Sequence, residues 1–277
     1  MRKYPVIKDM ADERDILYSN RHNIMAALLS KKVDLRAKSS PVVDQGQLGA
    51  CTANAIVSGL REYILLNDEG KNLIRLSRLY LYWWERKLER AVDEDSGAFL
   101  RDGMKVLHKK GVCTEEIRPY KIENFRETPT EGEDKEALQY TINGYQRLLL
   151  IHQIKHALSH GHPVVFSLEI YESFERDVRE DGIVPLPKEG EEKLGGHAMC
   201  LMGYDDNLNG GSFIVKNSWG QEWGDKGYCY MPYKMCQYWY DAWTAIQGRK
   251  FILDYFPGFL CSLIEKIIER LIGETFS

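Results

Sequence analysis

Four residues from three separate stretches of the chain carry the groups of an acyl-transfer site: Gln45, Cys51, His197 and Asn217. A thiolate can attack a carbonyl carbon, and an imidazole can take and return the proton. One amide can hold the ring in orientation, and a second can donate to the oxyanion that forms. Cys51 closes Gln45-Gly46-Gln47-Leu48-Gly49-Ala50-Cys51, His197 sits in Gly195-Gly196-His197-Ala198, and Asn217 in Lys216-Asn217-Ser218-Trp219-Gly220. Each residue also has a plainer reading: a buried small hydrophobe for Cys51, a turn residue for Asn217, a loop amide for Gln45.

The elements needed to position these groups are legible in outline. Ala55, Ile56, Gly59, Leu60 and Tyr63 follow Cys51 at helical spacing, so the thiol is expected at a helix start. There the first N–H groups and the helix dipole favour an anion, and a nearby imidazole would do the same. Further helices are expected over 77–88, 99–110 (stopped at Gly111) and 148–160. Residues 163–168, 197–204 and 212–216 read as strands, and 113–138 as a charged loop. Helices first and strands second predict an α+β protein, with Cys51 and the His197/Asn217 pair brought from different halves.

These motifs, with Val33-Asp34-Leu35-Arg36, Glu94-Asp95-Ser96-Gly97 and Lys216 to Tyr228, resemble the papain-like cysteine peptidases, in particular the bacterial xylellain-type branch. The resemblance runs from about 33 to 246. It implies a two-lobed fold with a cleft between a helical lobe (about 33–138) and a β-rich, barrel-like lobe (about 139–250). It implies Cys51, His197, Asn217 and Gln45 as catalytic residues, and Gly97, Ala98, Trp219 and Ala242 as substrate-binding ones. Residues 1–32 resemble a short inhibitory prosegment, expected to lie in the cleft and be cut near Leu29 to Val33. Secreted members bridge two cysteines near the nucleophile. Here Leu48 and Asp95 stand at those positions, which points to a reducing compartment. The activity implied is hydrolysis of peptide bonds in polypeptide substrates without cofactor or metal. Two rivals stay open: an inactive binding module that kept the fold, and an acyl transferase or ligase with the same triad.

The chain has 277 residues, 44% hydrophobic and 28% charged, with net charge −4, so nothing points to nucleic acid. The N-terminus has no apolar run, and an intracellular or particle-packaged protein is expected rather than classical secretion. His152, His156 and His160 form one helical stripe, expected to be a solvated face rather than a metal site. Residues 251–277 form an amphipathic extension, with 257–273 expected to contact a second copy or a membrane surface.

Overall fold

A computed structural model describes residues 2–18, 29–178 and 180–246. The expected C-terminal helix lies outside the described residues. Helix α1 (Cys51–Asn54) continues without a break through a π-helical stretch (Ala55–Arg61) into α2 (Glu62–Asn67). It is followed by α3 (Arg78–Leu88), α4 (Leu100–Lys109) and α5 (Glu131–Ala137). Ser77 caps α3 by accepting from the Tyr80 N–H, and Gly111, at φ 75°, ends the α4 turn as its sequence predicts. Helix α5 falls inside the stretch expected to be loop. Its sequence, Glu-Gly-Glu-Asp-Lys-Glu-Ala, has almost no apolar periodicity, and a capping box between Thr130 and Glu133 supports it instead.

The second half is built on an antiparallel sheet. Its strands are β1 (Lys32–Asp34), β2 (Gly144–Arg147), β3 (Val164–Tyr171), β4 (Lys193–Asp205), β5 (Ser212–Lys216), β6 (Tyr228–Pro232) and β7 (Trp239–Ile246). They run β2-β7-β3-β4-β5-β6, with β1 paired to the end of β4. Helix α6 (Ile151–Ser159) starts three residues later than its periodicity predicts. Helix α7 (Glu172–Asp177) follows β3.

Alternation along the strands divides the core. Val165, Ala198, Cys200, Met202, Trp243 and Ala245 pack with the helices, whereas Phe166, Leu168, Met199, Leu201 and Ala242 belong to a second cluster beneath α6 and α7. The lobes meet where the helix following Cys51 crosses β4. Only glycine fits at position 59, because a Cβ there would lie 2.4 Å from Cys200 Cβ. The helical and β-rich halves expected from the sequence are both present, and their junction is where the cleft residues meet.

The histidine stripe is not the solvated face expected. His156 is buried, its Nδ1 lies 2.8 Å from the Tyr18 hydroxyl, and its ring stacks on His160 at 4.1 Å. Burial follows from Tyr18, which arrives from 138 positions away and could not be placed by helical spacing alone.

Candidate active site

Cys51 is the first residue of its helix and is fully buried. The loop before it is tied down from two sides. The Gln45 N–H donates to Ser218 O at 2.9 Å and the Gly220 N–H to Val43 O at 3.0 Å, so residues 43–45 run alongside 218–220. Asp95 Oδ1 accepts from the Gly49 N–H at 2.9 Å and from the Tyr82 hydroxyl at 2.6 Å. A carboxylate thus fastens the two segments that a disulfide would otherwise join. All five described cysteines are free thiols.

Position 197 lies on β4, opposite Leu168 of β3. His197 Nε2 is 2.9 Å from Asn217 Oδ1. Asn217 Oδ1 also accepts from the Ser218 N–H at 2.8 Å, which assigns it as the oxygen. Nε2 therefore carries the proton and Nδ1 is the free base, without a hydrogen-bond partner among the described residues. The Trp219 indole stacks on the imidazole at 4.9 Å between centroids, so the His197–Asn217 bond is held dry. Gln45 is fixed at both ends of its amide: Oε1 accepts from the Ser218 hydroxyl at 2.6 Å and Nε2 donates to Leu48 O at 3.0 Å. The second Nε2 hydrogen is left for a further acceptor.

The structure brings Cys51 to the residue next to His197. Its thiol feels the Ala198 backbone N–H as a donor, and the first N–H groups of its own helix act in the same direction. Burial outweighs both, and pushes the thiol up to about 12. Burial likewise lowers the His197 imidazole to about 4, against the support of Asn217. Sulfur and ring are therefore both neutral here, because a dry site disfavours an ion pair's charges.

The chain's own N-terminus lies against the site. The Gly196 N–H donates to Tyr4 O at 2.9 Å and the Val6 N–H to Gly196 O at 3.2 Å, so residues 4–6 pair with the strand that carries His197. The Tyr4 ring stands edge-on to His197 and to Trp219, each at 6.1 Å, and the Arg2 guanidinium lies 4.4 Å over Trp219. Pro5 packs on Gly97 and Gly49: a Cβ at Gly97 would meet Pro5 Cγ at 2.5 Å. Gly97 has φ 73°, so both its backbone angle and this contact require glycine. Lys3 pairs with Asp95 at 2.7 Å.

Further along, Asp9 is buried against the start of α4 and the side of β7. The Trp243 Nε1–H donates to Asp9 Oδ2 at 3.0 Å, and the Arg101 N–H donates to both Asp9 oxygens at 3.2 and 3.3 Å. The Asp9 N–H donates to Asp241 Oδ2 at 2.7 Å. Asp15 takes the Arg101 and Arg147 guanidiniums, each at 2.8–2.9 Å. Residues 16–18 then lie along β2.

Of the expected substrate-binding residues, Gly97 and Trp219 are both under the N-terminal segment. Ala98 is buried beside Gly97, and Ala242 sits in the core cluster beneath the sheet. Asp9, Arg101 and Asp241 were not anticipated from the sequence. The acidic run at 9–15 was the one signal available for them.

Residues 29–245 match the model of the papain family cysteine proteases. The chain belongs to that family. It is a cysteine-type peptidase with the two-lobed papain-like fold, and it is similar to xylellain, a cysteine protease from Xylella fastidiosa: 36% identical, TM-score 0.80, covering 90% of this chain and 98% of that one. It is 38% identical over 258 residues to the uncharacterized peptidase C1-like protein L477 of Acanthamoeba polyphaga mimivirus, across 84% of this chain and 82% of that protein. It is 29% identical over 194 residues to the cathepsin B-like CP3 of Giardia intestinalis, spanning 68% of this chain and 62% of that protein. The papain-family chain thus carries the four motif residues near the junction of its two halves, with residues 4–6 paired to Gly196 beside His197.

Proposed function

We propose that the papain-family chain is an endopeptidase made as a latent precursor, with Cys51 as nucleophile and residues 1–32 as its inhibitory segment. The observation that carries this reading is the pairing of residues 4–6 with Gly196, with Tyr4 over His197 and Pro5 over Gly97. A substrate needs the backbone donors and acceptors that this segment occupies.

Once the segment is cut near Leu29 to Val33 and leaves, water reaches the site. The cost of charge separation falls, and the Cys51 proton passes to His197 Nδ1. The thiolate attacks the scissile carbonyl. The oxyanion lies between the Cys51 N–H and the free Gln45 Nε2 hydrogen. His197 returns its proton to the leaving amine, and a thioester remains on Cys51. Water, deprotonated by His197, attacks the thioester and releases the carboxylic acid and the thiol. Asn217 keeps the ring in the tautomer that accepts at Nδ1, and Trp219 excludes water from that hydrogen bond.

The test compares the intact chain with a chain lacking residues 1–30 on a fluorogenic peptide, beside Cys51→Ala of each. A rise in activity on deletion, abolished by Cys51→Ala, is expected. Equal activity of the intact and shortened chains would refute latency.

A further inference from the structure

The contacts around Asp9 have a meaning for the enzyme after its N-terminal segment has gone. Every hydrogen-bond partner described for the Arg101 guanidinium belongs to that segment: Asp15 through Nε at 2.9 Å and Nη2 at 2.8 Å, and Met10 O through Nη2 at 2.6 Å; outside it, the guanidinium lies 5.5 Å over the Trp243 ring. The Arg101 N–H opens α4 and has no cap from its own element, because the residue before the helix is Phe99. Asp9 supplies that cap. The Trp243 indole N–H, wholly buried, spends its hydrogen on the same carboxyl. Departure of residues 1–32 therefore uncovers two N–H donors, one carboxylate acceptor (Asp241) and two guanidiniums (Arg101 and Arg147). Buried donors left without acceptors are costly, so the cluster favours a replacement.

The replacement is specified closely. Asp241 Oδ2 accepts the Asp9 backbone N–H at 2.7 Å, a contact that the backbone of an extended polypeptide can reproduce. The side chain of that same residue must reach Trp243 Nε1 and the Arg101 N–H with an acceptor oxygen one carbon beyond its Cβ. Aspartate and asparagine have this reach; serine is too short and glutamate too long. Pro5, four positions earlier, packs on Gly97 and so marks the distance along the chain from Gly97 to the socket.

We propose that this socket is a specificity subsite of the released peptidase, which takes an aspartate or asparagine of an extended polypeptide substrate about four residues from the one seated on Gly97. It rests on the reading of residues 1–32 as a removable segment. Charge selects weakly between the two side chains. Arg101 and Arg147 attract a carboxylate; Asp241 and, more remotely, Glu89 repel it, and burial raises Asp9 to about 7. Loss of Asp15 leaves Arg101, Arg147 and Asp241, a net positive set, so aspartate is tolerated better in a substrate than Asp9 is in the precursor.

The experiment uses the full chain with a sequence-specific protease site inserted within 22–28, folded intact, then cut and separated from its N-terminal segment. Internally quenched peptides identical except for Asp, Asn, Ala or Leu at that distance are compared at pH 6. A short fluorogenic peptide that ends before the socket serves as the control. Wild type is expected to prefer Asp and Asn over Ala by about ten- to a hundredfold in kcat/KM, the range for hydrogen bonds involving a charged group. Trp243→Phe, which deletes the indole donor and keeps an aromatic ring, is expected to reduce the preference to threefold or less while the short peptide is cleaved as before. Cleavage of the short peptide with no Asp/Asn preference in wild type overturns the subsite and leaves the proposed function standing. An equal preference in Trp243→Phe overturns it as well. Absence of any cleavage removes the peptidase site itself, and the subsite falls with it.

Discussion

Asp9 makes the hold of the N-terminal segment depend on pH, in a direction that the structure fixes. Its carboxyl lies 3% exposed beside Asp241, and burial first, then the Asp241 charge, raises it from an ordinary 3.8 to about 7. Asp241 is raised as well, so the pair takes up protons jointly. A docked-state pKa above the free-state one means that docking binds a proton. The stabilisation is complete below about 4 and is lost as pH rises through about 7. Three units correspond to about 4 kcal/mol, or roughly a thousandfold in affinity. The assay is inhibition of the separated enzyme by a synthetic peptide of residues 2–18, measured from pH 5 to pH 8 and corrected for the enzyme's own profile. The inhibition constant is expected to rise about a hundredfold for the native peptide, since pH 5 already lies above the free-state value. With Asp9→Asn it is expected to stay nearly flat, and to be the lower of the two at pH 8. A flat profile for the native peptide, or the same slope with Asp9→Asn, would refute the reasoning.

Other expected outcomes follow from single contacts. Tyr4→Ala in the intact chain removes the ring against His197 and Trp219, and should raise activity on a fluorogenic peptide at least tenfold. Gln45→Ala should lower kcat by about 100- to 1000-fold, the usual loss for one oxyanion donor, with the circular dichroism spectrum unchanged. Gly59→Ala places a Cβ 2.4 Å from Cys200 Cβ and should cost about 1–3 kcal/mol in urea denaturation, whereas Gly70→Ala, with nothing within 4 Å of the added carbon, should cost only its left-handed backbone strain.

The motif residues could be read from the sequence because each lies in a local pattern with its own chemistry: a thiol at a helix start, a histidine after paired glycines, an asparagine before Ser-Trp-Gly. Helices with an apolar stripe, such as Cys51–Asn67 and Leu100–Lys109, were equally open to view. The helix at Glu131–Ala137 was not, since capping rather than burial holds it. What sequence alone withheld were pairings over long separations. Asp9 meets Asp241 across 232 positions and Tyr18 meets His156 across 138. No local periodicity records such contacts, and both involve the N-terminal segment. Its acidic run at 9–15 was visible, but nothing in the sequence marked Arg101 and Arg147 as its partners.

The central claim is that the N-terminal segment keeps Cys51 and His197 uncharged by drying them, and that its removal lets them form an ion pair. Thiolate absorbance near 240 nm, taken as the difference between each protein and its Cys51→Ala counterpart, measures this directly. The intact chain should show no Cys51 thiolate below about pH 10, in line with a thiol raised to about 12. After cutting and separation, Cys51 should ionise below its ordinary value of about 8.5. Identical titrations before and after removal of residues 1–32 would contradict the account.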